Sequence, residues 1–174
     1  VLKLLKYGIP AQRIFHDLYI EKYKGHFSQI DLVAITEVGI MVFEVKDYSG
    51  WLFGNGNQSQ WTQVLGYGQQ KYGFYNPIMQ NNQHISELRK QNFQFYQVPT
   101  YSIVVFYGNC ELKEIDFIPN GTFIVKSKSV LEVIKTILRV NKPVYYSNEN
   151  EIVRVLKEAV INGVMRENQI QHIE

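Results

Sequence analysis

Gln29-Ile30-Asp31-Leu32-Val33-Ala34-Ile35-Thr36 and Ile40-Met41-Val42-Phe43-Glu44-Val45-Lys46-Asp47 lie either side of Glu37-Val38-Gly39. Both runs are rich in Ile, Val and Phe, and the glycine closes the segment between them, so they read as neighbouring strands joined by a short turn. Both faces of each run are apolar. Such strands sit in the middle of a sheet covered on both sides. Three charged residues interrupt this pattern: Asp31, Glu44 and Lys46. Charges are seldom buried in central strands unless they are paired or bind metal.

Register decides what the three can do. Side chains at alternate positions share a face, so Glu44 and Lys46 project together. A turn with an even number of residues pairs Ile35 with Ile40, Val33 with Val42 and Asp31 with Glu44. An odd turn sets Asp31 against Val45 and scatters the cluster. The even register is the expectation, because two lone buried acids on opposite faces each need a separate partner. In that register the carboxylates repel unless a proton or a cation lies between them. One outcome is a buried Asp–Glu–Lys ion network without chemistry. The other is a divalent cation held by Asp31, Glu44 and the Val45 carbonyl, with Lys46 orienting the attacking water and stabilising charge on a phosphate. Mg²⁺ suits few carboxylates and several waters, with Mn²⁺ as a substitute. Gln29, two residues before Asp31, and Gln80 and His84, four apart on one helix face, are further candidates to touch a phosphate or a water.

Working outward, Val1 to Tyr7 reads as the end of an amphipathic helix stopped by Gly8 and Pro10. The chain opens on Val1, and the helix reads as its second half, which predicts a piece of a longer protein. Gln12–Ile20 reads as a first strand and 21–28 as a charged loop. Residues 51–62 read as a hairpin about Asn55-Gly56. Its glycines do not make a phosphate loop, since no Lys-Ser follows and no helix opens there. Residues 65–75 read as a loop without period. Asn76-Pro77 starts a helix with a cap and a first-turn proline. Residues 101–106 read as a buried strand, 122–125 as another, Ser127 or Ser129 as the cap of a helix to Leu138, and 150–164 as a last amphipathic helix. The expected fold is one α/β domain over 1–174 with a mixed central sheet flanked by helices.

Composition excludes more than it selects. The 174 residues carry a net charge of +2, too small to imply nucleic acid by itself. Local clusters such as Lys22, Lys24 and His26, or Arg89 and Lys90, are commonly solvated faces. Cys110 is alone, which rules out an intramolecular disulfide and a thiolate zinc site. No run reaches the length of a membrane span. No Ser-His-Asp or Cys-His arrangement appears at a recognisable spacing.

The ordered set Gln29-Ile30-Asp31, Gly39, Glu44-Val45-Lys46, Gly50, Trp61, Asn76-Pro77, Gln80 and His84 resembles the nuclease-related domain (NERD) family. That family is itself similar to the PD-(D/E)xK nuclease superfamily. The resemblance covers about residues 1 to 106. It implies a restriction-endonuclease-like fold and a Mg²⁺-dependent nuclease acting on nucleic acid, with DNA expected, in a cytoplasmic or membrane-anchored bacterial protein. It implies Asp31 and Glu44 as metal ligands, Lys46 as the catalytic lysine, and Gln80 as an active-site residue on the following helix. Two departures stand out. Ile30 occupies the place of the superfamily's proline, and residues 1–11 hold no acid where members carry a glutamate. A different class of reading is a non-catalytic nucleic-acid-binding or regulatory module that retains the fold.

Overall fold

The computed structural model describes residues 1–171, and side chains to residue 166; the last three residues of the expected 1–174 domain lie outside it. In chain order the elements are α1 (Leu2–Tyr7), β1 (Ile14–Tyr23), β2 (His26–Thr36), β3 (Gly39–Asp47), β4 (Gly50–Asn55), β5 (Gln60–Leu65), β6 (Gln70–Tyr75) and α2 (Pro77–Gln91). They continue with β7 (Thr100–Tyr107), β8 (Cys110–Asp116), β9 (Thr122–Lys126), α3 (Val130–Val140) and α4 (Glu149–Gln171). The protein is α/β, with mixed sheets flanked by helices. A five-stranded sheet runs β1-β2-β3-β7-β9, and a second, four-stranded sheet runs β6-β5-β4-β8. In the first, β1, β2 and β3 pair antiparallel, while β3–β7 and β7–β9 are parallel. Among the described residues no helix is long and apolar enough to cross a membrane.

The apolar runs that open the sequence argument fill both faces of the first sheet. Val33, Ile35, Ile40 and Val42 pack under α2 and α4, through Ile85, Leu88, Ile152 and Leu156. Leu32, Ala34, Met41 and Phe43 pack under α1 and α3, through Leu4, Val130, Ile134 and Ile137. Burial of a whole Ile or Leu is worth about 2 kcal/mol, so a two-sided central strand fixes its own register. A smaller core of Leu52, Trp61, Ile78, Val104 and Phe106 joins the second sheet to β7 and α2.

The β2–β3 register is the even one: Ile35 faces Ile40 and Val33 faces Val42. The loop is the two residues Glu37-Val38, closed by Thr36 Oγ1 donating to Gly39 O at 2.7 Å. Gly39 is required here. Its φ is +137°, and a Cβ would stand 2.3 Å from the Pro99 carbonyl oxygen.

Two loops of the sequence reading contain strands, and one strand falls where that reading placed no element. Residues 21–28, read as a loop, complete the β1–β2 hairpin around Lys24-Gly25. Their charged side chains are exposed, so no apolar alternation marked the strand pairing. Residues 65–75 hold β6, an edge strand on β5 with almost no buried side chains. Residues 110–116 form β8, alongside β4. The second sheet was therefore legible only as its central hairpin. At Ser129 the helix begins without a side-chain cap, and α4 is capped by Asn148, with Glu151 N donating to its Oδ1 at 3.3 Å.

Candidate active site

The site forms where β2 leaves β3. Ladder pairing between them ends at Leu32 and Phe43, while β1 and β2 stay paired out to Tyr23 and His26. Alternation also breaks at this point. Ile30 and Val33 both enter the core under α2 and α4, as do Phe15 and Leu18 on β1, where Asp17 adopts φ +54° opposite Asp31 in register. Asp31 sits at the fork. Its Oδ2 accepts the backbone N–H of Val45 at 2.7 Å, so the carboxylate takes the place of a ladder bond just beyond the last pair.

Glu44 continues the Ile40–Val42 face toward α2. It is 3% exposed, which a carboxylate tolerates only with partners. Lys46 Nζ lies 2.7 Å from its Oε1, and His84 Nε2 lies 3.2 Å from its Oε2. The second contact is close but not aligned as a hydrogen bond, leaving Nε2 without a hydrogen-bond partner. On its other side the ring is fixed by Ser28 Oγ, 2.9 Å from Nδ1. Lys46 also donates to Gln80 Oε1 at 2.9 Å.

The two acids titrate in opposite directions. Burial pushes Glu44 up, but the close His84 ring and the hydrogen bond and charge of Lys46 outweigh it and hold the carboxyl below its usual value. Burial lifts Asp31 above its usual value. The Val45 N–H opposes this, the charge of Glu44 adds to it, and Lys46 and His84 act only from a distance. Asp31 makes no ion pair among the described residues.

α2 carries the rest. Asn76, fully buried, caps it by accepting from Ile78 N at 2.8 Å. Its Nδ2 reaches the carbonyls of Asn55, Gly56 and Gln58 in the β4–β5 turn, at 3.1, 3.2 and 2.7 Å. Asn81 Nδ2 donates to Val42 O and Ser102 Oγ, both at 2.9 Å, which pins the helix across β3 and β7.

The structure thus gathers Asp31, Glu44, Lys46, Gln80 and His84, with the exposed Val45 between Glu44 and Lys46. Gln29 is not gathered. It is exposed between the buried Ser28 and Ile30, on the strand's other side, because β2 has changed phase at the fork. His84, expected to touch a phosphate or a water, is 6% exposed and lies against the Glu44 carboxylate. Sequence reasoning missed Ser28 and Asn81. Asn81 had a signal, since it extends Gln80 and His84 into one polar stripe on the buried side of α2. Ser28 had none, being a small polar residue in a segment read as loop.

Two carboxylates with a backbone carbonyl suit a hard, oxygen-seeking cation, and the Glu44 charge bearing on Asp31 is of the kind a cation neutralises. Among the described residues no group of three or more His, Cys, Asp and Glu side chains is gathered to hold a metal. Oxygen donors of this kind and number suit a hydrated cation rather than a closed structural zinc site.

Comparison with known proteins supplies a family and one relative. The family model described as nuclease-related domain matches residues 1–107. An uncharacterized protein of Bacillus anthracis is 34% identical over 113 residues, which is 65% of this chain and 51% of that protein. The chain spans about half the length of this relative. No solved structure gives a significant match.

Proposed function

This chain belongs to the nuclease-related domain family, and from that premise we propose that it is a Mg²⁺-dependent nuclease hydrolysing phosphodiester bonds of nucleic acid, with DNA as the expected substrate and the cytoplasm as its setting. The observation that carries the reading is the division of labour at the fork. Lys46 and His84 engage Glu44, while Asp31 stands beside them half-buried and, among the described residues, without an ion-pair partner.

Asp31, Glu44 and the Val45 carbonyl would hold the ion. Mg²⁺, or Mn²⁺ in its place, would supply Lewis acidity toward a phosphoryl oxygen and a more acidic water. The chain's own residues do the rest. Gln80 holds Lys46 Nζ from one side and Glu44 from the other, so the ammonium is aimed before substrate arrives. From there it can orient the attacking water and stabilise charge growing on the phosphate, without reorganising as charge develops. Ser28 and His84 keep the Glu44 carboxylate in place from the buried side.

The test has two readouts. Mn²⁺ or Mg²⁺ should raise the melting temperature of the wild type by mass action, and Asp31→Ala with Glu44→Ala should remove the shift. Lys46→Ala should abolish cleavage of linear and supercoiled DNA, with kcat falling far more than KM rises. A non-catalytic binding module is favoured by the small donor set, two carboxylates with no third acid gathered among the described residues. Nucleic-acid binding without a metal shift and without cleavage of DNA or RNA would select that module and reject the enzyme.

A further inference from the structure

The β1–β2 hairpin outlasts the sheet it starts in. Past Leu32 and Phe43 it has no β3 beside it, yet its two strands stay paired to Tyr23 and His26. It therefore leaves the site as a two-stranded arm, with Asp31 at its root. Residues 21–26 at its end are all exposed, and they carry Lys22 and Lys24. Lys22 is the extra residue of a β-bulge between Glu21 and Tyr23. Bulges increase twist and re-aim side chains, and they recur beside active sites. The one carboxylate of the tip, Glu21, accepts Gly25 N at 3.0 Å across the turn.

Two-stranded ribbons in water are only marginally stable, so an arm needs bracing. This one has it from two helices. Gln91 of α2 donates to the Glu21 carbonyl at 3.1 Å. Arg166 of α4 lies over the rings of Tyr19 and Phe27, at 5.6 and 4.6 Å. The arm is thus tied to both helices, and among the described residues neither Lys22 nor Lys24 makes an ion pair.

We propose that the arm is a nucleic-acid clamp in which Lys22 and Lys24 contact the phosphate backbone well away from the bond that is cut. The proposal rests on the nuclease-like reading of the site. Lys24, in the turn before β2, is seven residues from Asp31, a reach of at most roughly 23 Å at about 3.3 Å per residue. At about 3.4 Å of rise per nucleotide, that is roughly seven nucleotides from the fork. Contacts of this kind carry no base information; they fix register and add salt-dependent affinity.

The experiment compares wild type with Lys22→Glu/Lys24→Glu and Lys22→Gln/Lys24→Gln, binding fluorescein-labelled DNA by anisotropy in EDTA and again with Ca²⁺, across a salt series. Both variants should melt with the wild type, since neither lysine is packed. The glutamate pair should bind about tenfold or more weakly, and both pairs should lower the slope of log K against log salt by about 2, near 0.9 per lost phosphate contact. The deficit should disappear on oligonucleotides too short to extend about seven nucleotides to either side of the site. Wild type and variants binding alike, with equal slopes, would overturn the clamp and leave the nuclease reading standing. A wild type that binds neither single- nor double-stranded nucleic acid overturns both.

Discussion

Asn76→Ala removes the residue on which the position of Gln80 depends. In the wild type its Oδ1 caps α2, and its Nδ2 serves three carbonyls of the β4–β5 turn, all in a fully buried setting. Losing an asparagine cap costs about 1 kcal/mol. Nδ2 has two hydrogens for its three acceptors, so about two hydrogen bonds are lost there, at about 1 kcal/mol each with the carbonyls left buried. The total is about 3 kcal/mol, and for a chain of this length it lowers Tm by roughly 6–12 °C. Asn76→Ser separates the two parts, because a serine caps the helix but cannot reach the turn. It should recover about 1 kcal/mol of the loss. Urea titrations of the three proteins read these differences directly. Alanine and serine variants both within about 0.5 kcal/mol of wild type would refute the reasoning, since surface-like tolerance is incompatible with the burial assigned to this side chain.

Asp31→Asn should leave Tm at pH 7 equal to or above wild type while abolishing the Mn²⁺-induced shift. Burial raises the Asp31 carboxyl, so the ionised form costs stability above the folded value; that cost, and the gain from the variant, should fade as pH falls through it. A Tm well below wild type would show that the carboxylate is structural. Gly163→Ala should destabilise by about 1–3 kcal/mol despite alanine's better helix propensity, because its Cβ would lie 2.6 Å from the Asp17 carbonyl oxygen where α4 crosses the β1 distortion; a stabilised variant in thermal melts would contradict that packing. Tyr146→Phe should cost about 1 kcal/mol by denaturant titration, since the hydroxyl donates to Thr36 O at 2.6 Å beside the β2–β3 turn, and an unchanged midpoint would count against it.

What was legible in the sequence followed from burial. Strands whose two faces are both covered announce themselves as apolar runs, and the even register followed because an odd one would have stranded Asp31. The Asn76-Pro77 start fixed α2, and spacing then put Gln80 and His84 on one side of it. Strands β6 and β8, and the outer half of the β1–β2 hairpin, stayed hidden for the opposite reason. They are exposed, and their pairing is written in backbone hydrogen bonds that leave no periodic mark on side-chain type. The phase change at Asp31 was hidden as well. It arises from a tertiary event, β2 parting from β3 while still paired to β1, and it is why Ser28 and not Gln29 reaches the site.

The buried ion network without chemistry makes a definite geometric demand. A lysine retained only to neutralise two acids would lie between them, because each unpaired carboxylate in a poorly solvated place costs several kcal/mol. Lys46 does not lie there. It spans Glu44 and Gln80, a neutral amide that needs no charge, and leaves Asp31 to a single backbone N–H. Glu44 meanwhile has His84 Nε2 within 3.2 Å as well. The distribution is wasteful as a stability device: the better-buried acid is oversupplied and its neighbour is left with a raised affinity for protons. It becomes economical if Asp31 is matched to a positive charge that arrives from solution, and if Lys46 is held for a negative charge that forms only during reaction. Local rules of pairing and satisfaction are commonly broken where function requires it. Here the departure falls on Asp31, where β2 parts from β3.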